Sequence, residues 1–281
     1  MSSFFLYGPP GGGKTTFASS MHEAGFIPLI IDLDRKVRTM KNLQPLIKSG
    51  KIRVIDFHSM LTEASFLTRV TLGPNQGPLT QPTGYLELAE IITKLEESPS
   101  EDHLQEVPVL DNLTRTLEHM KRWLFHIQKR NVISLPDYGT ILTNLEELYD
   151  SFFGLQVPKG EEPALYPHVI MIAHDRLEKN DLSGQILLKP LIDGQMRDKS
   201  GSSVDEMYYC SVEVAKDGKA DYVATTKPVD TISQARTSRE LETYVTQSFG
   251  EILKGEYYDD TSDEREEPKR VPKKRGSKGK H

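Results

Sequence analysis

Residues 8–15 of this 281-residue sequence read GPPGGGKT. The spacing is that of a phosphate-binding loop, G-x-x-x-x-G-K-[ST]. Glycines let the backbone approach an anion and turn its N–H groups toward phosphate oxygens. Lys14 then reaches the β- and γ-phosphates of a nucleoside triphosphate, and Thr15 offers its hydroxyl to Mg²⁺. Gly8, Pro9, Pro10, Gly11, Gly12, Gly13, Lys14, Thr15 and Thr16 are the candidate contacts, with ATP and Mg²⁺ as the expected ligands. A glycine-rich turn that fits the pattern by chance is the competing reading. It is disfavoured by the flanks, an apolar run (SFFLY, 3–7) before the loop and a helical pattern (TTFASSMHEAG, 15–25) after it.

Three more stretches end in side chains suited to this chemistry. VPVLD (107–111) is an apolar run closed by Asp111, placed to hold Mg²⁺ or its water shell beside Thr15. Asp111 as a cap for the helix that follows is a compatible alternative. IIDLDRK (30–36) carries Asp32 and Asp34, either of which can orient or deprotonate an attacking water. Two solvated strand-end acids are the plain alternative. HVIMIAH (168–174) ends in His174, at a position that faces the ligand crevice of an open α/β sheet. There it senses the γ-phosphate, or serves as a structural histidine. No Cys/His cluster at metal-ligand spacing and no Gly-x-Ser-x-Gly elbow accompanies them.

The elements that must position these residues are legible as pattern. Strands are expected at 3–7, 26–32, 51–57, 107–111 and 168–174. Helices are expected at 15–25, at 82–97 with Leu86, Ala89, Ile92 and Leu95 as its stripe, at 112–130 with Leu113, Leu117, Met120, Leu124 and Ile127, and at 137–154 with Ile141, Leu145, Leu148 and Phe152. MYYCSVEVA (207–215) and DYVATTK (221–227) flank KDGKA and read as a hairpin. TSRELETYVTQSFGEILKG (237–255) reads as a closing helix. βα units followed by a hairpin predict an α/β fold, a mostly parallel doubly wound sheet with a C-terminal antiparallel hairpin.

Composition bounds the rest. With 27% charged and 37% hydrophobic residues, most of the chain should fold. Residues 1–255 are expected to form the core and 256–281 a disordered tail, acidic and then basic. The last 14 residues carry seven Lys or Arg and no acid, which leaves 28 basic against 41 acidic residues, −13, in the body. Contact with nucleic acid must therefore be local. No apolar run predicts a membrane span and no signal peptide is visible. A single cysteine, Cys210, suits a reducing, cytoplasmic setting.

The order of these motifs resembles the RecA-like P-loop NTPase core. More closely, LYGPPGGGKTT, IIDLDRK, VPVLDNLT, DYG (137–139), HVIMIAHDR, KPLIDGQ (189–195), VDEMYY (204–209) and QARTSRE (234–240) resemble the AAA-type phage nucleotide-binding proteins that serve as single-strand annealing proteins. The resemblance implies ATP hydrolysis coupled to single-stranded DNA binding, strand annealing in phage recombination, and assembly into rings or filaments. It assigns the catalytic positions to Lys14, Asp34, Asp111 and His174. Arg236, Arg239 and Lys227 fall where a neighbour's nucleotide would be contacted. The segment 174–203 falls where such proteins carry a DNA-binding loop, here with Arg176, Lys179, Lys189, Arg197 and Lys199; an ordinary surface loop is the alternative. The basic tail would contact DNA or a single-strand-binding or replication protein. Two departures stand out. Asp34 replaces a glutamate, and nothing precedes the first strand, so a bare core is expected. A P-loop nucleotide kinase and a nucleotide-gated, non-enzymatic replication adaptor are the other readings.

Overall fold

The computed structural model describes residues 1–57, 83–129, 134–158, 160, 163–179, 184–192, 194–214 and 218–254. The expected tail thus lies outside the described residues. The strands are β1 (Ser2–Gly8), β2 (Ile27–Asp32), β3 (Arg53–Asp56), β4 (Glu106–Asp111), β5 (His168–Lys179), β6 (Ile186–Pro190), β7 (Glu206–Val214), β8 (Ala220–Thr225) and β9 (Tyr244–Thr246). They form one sheet in the order β3-β2-β4-β5-β1-β7-β8-β9, with β6 paired to the outer half of β5. Pairing is parallel from β3 through β7 and antiparallel in β7–β8, β8–β9 and β5–β6. This is the expected mostly parallel sheet with an antiparallel edge.

β1 alternates its side chains between the two faces, as a strand buried on both sides must. Phe5 and Tyr7 join one core with Leu117, Leu145, Tyr149 and Met207. Phe4 and Leu6 join the other with Phe17, Ile170, Tyr208 and Phe249. The first core is covered by α3 (Gly84–Glu97), α4 (Leu113–Gln128) and α5 (Leu135–Gly154). The second is covered by α1 (Lys14–Ser19) and α7 (Phe249–Ile252), with the short α2 (Gln44–Lys48) beside them. A further single turn, α6, spans Met196–Lys199.

Several boundaries differ from the sequence pattern for identifiable reasons. α1 is shorter than expected and tightens into a 3-10 stretch, Ser20–Ala24, before Gly25 stops it at φ 84°. α5 starts earlier, at Leu135, because Ser134 and Asp137 form a capping box. On α3 the buried face is Gly84, Leu88 and Ile92, whereas Leu86 is exposed, so the stripe is rotated from the expected one. The four expected residues of α5 and the first four of α4 are buried, and Ile127 is exposed. The expected closing helix is the clearest correction. Most of 237–255 is irregular or forms β9, and helix survives only in α7. Tyr244, Val245 and Thr246 suit a strand, and the open edge of β8 supplies ladder partners that an isolated helix would lack.

Candidate nucleotide-binding site

The cleft lies at the C-terminal ends of β1, β2, β4 and β5, where an open α/β sheet places its ligands. It encloses about 450 Å³, and its lining includes Pro10–Thr16, Asp32, Asp34, Asp111, His174 and Tyr222. β1 delivers the loop through Gly8, whose backbone packs so closely on β7 that a Cβ there would lie 2.1 Å from the Cys210 carbonyl oxygen. A Cβ on Gly12 would lie 2.9 Å from the same oxygen. Gly13, at φ 85°, opens α1. The first N–H groups of that helix have no carbonyl a turn earlier to bond, so they are the ones a phosphate can occupy.

Lys14 is buried and its Nζ donates to the carbonyls of Gly8 and Pro9, both at 2.7 Å. Burial lowers its pKa, against the pull of Asp111 and Asp175. The Thr15 hydroxyl donates to Asp111 Oδ2 at 2.6 Å, joining the loop to the end of β4. Burial pushes the Asp111 carboxyl up to about 6, with the Thr15 hydrogen bond opposing the shift. A hydroxyl and a carboxylate in contact are hard oxygen donors of the kind Mg²⁺ takes alongside phosphate oxygens and water, so these residues fit that ion. Among the described residues there is no cluster of three or more His, Cys, Asp or Glu that could hold a metal by itself.

The two acids at the end of β2 make different contacts. Asp32 is buried, and its Oδ2 accepts the Val37 N–H at 2.7 Å, shaping the turn; burial raises its pKa. Asp34 lies on the cleft wall. Its Oδ2 accepts Asn112 Nδ2 at 3.0 Å, its Oδ1 is 3.5 Å from Arg115 Nε, and Lys36 is 3.5 Å away. Asn112 also caps α4 by accepting the Arg115 N–H at 2.8 Å. The sequence pattern pointed to Asp111 for that cap, and Asn112 makes it. His174 ends the buried part of β5. Its backbone N–H donates to Thr114 Oγ1 at 3.1 Å, and its ring Nδ1 has no partner among the described residues. Burial, then Lys14, lowers its pKa.

The structure thus brings Pro10–Thr16, Asp32, Asp34, Asp111 and His174 into one cleft and leaves the candidate DNA-contacting and neighbour-contacting cations outside it. Arg176 and Lys189 face each other in register on the β5–β6 ribbon, and Glu178 pairs with both, at 3.9 and 3.3 Å. Lys179 is exposed; Lys199 lies 3.6 Å from Glu146; the side chain of Arg197 is outside the described residues. So the segment expected as a loop is in large part a ribbon. Lys227 and Arg236 are exposed. Arg239 instead turns into its own chain. It donates to Ser2 Oγ at 2.8 Å, covers the Phe4 ring at 5.7 Å and lies 3.6 Å from the buried Glu206. Ser2 is at the opposite end of β1 from the loop, so Arg239 is engaged within its own chain and away from its own cleft. Sequence reasoning missed Asn112, Arg115 and Gln247. Gln247 donates to the Gly12 carbonyl from 235 residues away, and no local pattern announces that contact.

Over residues 2–237 the sequence matches the AAA domain family, and the chain belongs to that family. It is an AAA-type P-loop NTPase with a mostly parallel α/β sheet, a family that binds nucleotide, typically with Mg²⁺. Among solved structures it is similar to the ATP synthase subunit NeqB from Nanoarcheaum equitans, at 11% identity and TM-score 0.43, over 77% of this chain and 46% of that one. The chain thus spans less than half the length of that relative. It is also similar to the RadB recombinase, at 12% identity and TM-score 0.40, over 87% and 86% of the two chains. A third is an uncharacterized protein from Pyrococcus horikoshii, at 10% identity and TM-score 0.38, over 79% and 82%. No curated protein matches the sequence. Among the described residues, no helix is long and apolar enough to cross a membrane.

Proposed function

We propose that this protein is an ATPase that acts on single-stranded DNA and promotes annealing of complementary strands in phage recombination, working as a ring or filament. The observation that carries the hydrolytic part is the contact between Thr15 and Asp111 at 2.6 Å, with Lys14 and Asp34 on the same cleft. Lys14 exchanges the carbonyls of Gly8 and Pro9 for β- and γ-phosphate oxygens, a charge-assisted replacement of like geometry. Thr15 and Asp111 would hold Mg²⁺, which would supply neutralisation of charge on the phosphates. Asp34, steadied by Asn112 and Arg115, orients the attacking water and receives its proton. His174 reports on the γ-phosphate through its free nitrogen.

The DNA part rests on the motif resemblance and on the β5–β6 ribbon. That ribbon continues β5 beyond His174 and carries Arg176, Lys179 and Lys189 away from the cleft. Glu178 offsets part of this charge, so phosphate contact there is modest and is supplemented by Lys199, Arg197 and the basic tail. Arg236 and Lys227 are the exposed cations available to a neighbour's nucleotide. The test is ATP turnover with and without single-stranded DNA, together with annealing of complementary oligonucleotides. Turnover should rise with DNA and annealing should accelerate, and Lys14→Ala should lose both. Turnover indifferent to DNA together with unaided annealing overturns the reading. Phosphorylation of a nucleoside monophosphate would replace it with a kinase.

A further inference from the structure

We propose that Gln247 is a positioning residue for the phosphate loop, holding the loop backbone in its anion-binding shape from the other end of the chain. The proposal rests on the nucleotide reading of that loop. The Gln247 side-chain nitrogen shares its two hydrogens among three carbonyls: Gly12 at 2.9 Å, Val223 at 2.9 Å and Ser211 at 3.2 Å. Carbonyls only accept, so the amide must present its nitrogen to them, and its orientation follows from the chemistry. One carboxamide therefore ties β7, β8 and the loop together. The backbone N–H of Gln247 donates to the Tyr222 carbonyl at 3.2 Å.

The same amide walls in Gly13. A Cβ on Gly13 would lie 2.3 Å from Gln247 Oε1 and 2.6 Å from Tyr222 Cδ1. Gly13 is thus held between the two side chains at the start of α1. Past Gln247, the chain pins the other end of that helical segment. Ser248 Oγ donates to Glu23 Oε2 at 2.7 Å, and the Phe249 N–H donates to Ser20 Oγ at 2.8 Å. The Phe249 ring stacks on Phe17 at 4.5 Å. Residues 247–249 therefore form a strap along the loop and its helix.

The strap matters most when phosphate is present. Lys14 holds the Gly8 and Pro9 carbonyls, and a phosphate draws that ammonium away. The Gly12 carbonyl remains tied to Gln247 throughout. That tether keeps a carbonyl oxygen from turning toward the anion and leaves the loop N–H groups facing it. Gln247 does not line the cleft, so its effect falls on nucleotide affinity rather than on the chemical step.

The experiment compares the full chain with Gln247→Leu, which keeps the volume and removes the donor. Gln247→Met, unbranched and of similar length, replaces it if the leucine variant does not fold. Hydrogen exchange is read on the nucleotide-free protein. Amides of residues 11–16 should exchange about tenfold faster, with those of β1 unchanged. MgADP should bind about tenfold more weakly, with kcat within about twofold of the parent. Loop amides exchanging at the parent rate overturn the proposal, as does acceleration spread equally through β1, which would mark a merely structural residue. If the parent protein itself fails to bind MgADP, the nucleotide reading falls, and the exchange comparison still decides the role of Gln247.

Discussion

Mild acid should destabilise this protein through His168, and an asparagine there should remove that sensitivity. His168 opens β5 and is buried, its Nδ1 accepting the Ser2 N–H at 3.1 Å. Phe26 meets the ring edge-on at 5.0 Å and Phe4 tilts against it at 5.7 Å. Burial, then the N-terminal amine, holds the imidazole down to about 4. An unfolded chain restores a value near ~6.5. Between these values the unfolded state binds more protons than the native state, so stability falls as pH falls from about 6.5 toward about 4 and is flat above. Linkage across this gap gives a loss of about 2 kcal/mol between pH 7.5 and pH 5. His119, also held to about 4, by burial and then by Arg115, adds a loss of similar size. His168→Asn keeps an acceptor close to the Nδ1 position and does not titrate. Urea unfolding of both proteins at the two pH values is the assay. The variant should lose about 2 kcal/mol less than the parent on acidification. Equal losses, to within about 0.5 kcal/mol, refute the argument, because the variant removes only this titration.

Four other outcomes follow from the cleft and the tail. Gly13→Ala should weaken MgADP binding more than tenfold in equilibrium titration, since a left-handed backbone costs alanine about 1–2 kcal/mol and its methyl group meets Gln247 and Tyr222. Gly11→Ala, at φ 80° with open space around it, should bear only the backbone cost and bind severalfold better than Gly13→Ala. Asp34→Asn should leave MgATP binding intact and lower single-turnover hydrolysis by roughly 100-fold or more. Deleting residues 268–281 should flatten the salt dependence of DNA binding, and an unchanged slope would remove the tail as a phosphate contact.

Much of this arrangement is legible in the sequence because its signals are local. The loop, the apolar runs before Asp111 and His174, and the stripe of α5 each lie within one element, where period and turn chemistry decide. The closing segment failed for the opposite reason. Leu241, Val245 and Phe249 repeat at helical spacing, yet the edge of β8 takes Tyr244–Thr246 into a ladder. Asp32 and Asp34 look equivalent as a pair. Their roles part because one accepts the Val37 N–H within its own turn and the other meets Asn112, the cap of α4. Arg239 sits in a motif that reads as outward-facing, and only the fold reveals Ser2 and Glu206 beside it.

The sheet order also fixes when the site can exist. β1 is made well before its ladder partners, β5, which begins at His168, and β7, which begins at Glu206. At about 5–20 residues per second of synthesis, the loop waits on the order of tens of seconds for the strands that hold it. Gln247 arrives later still. Nucleotide competence is therefore a late property of the growing polypeptide, and a truncated product that ends before β7 has the whole phosphate-binding motif without one of the two strands that flank β1.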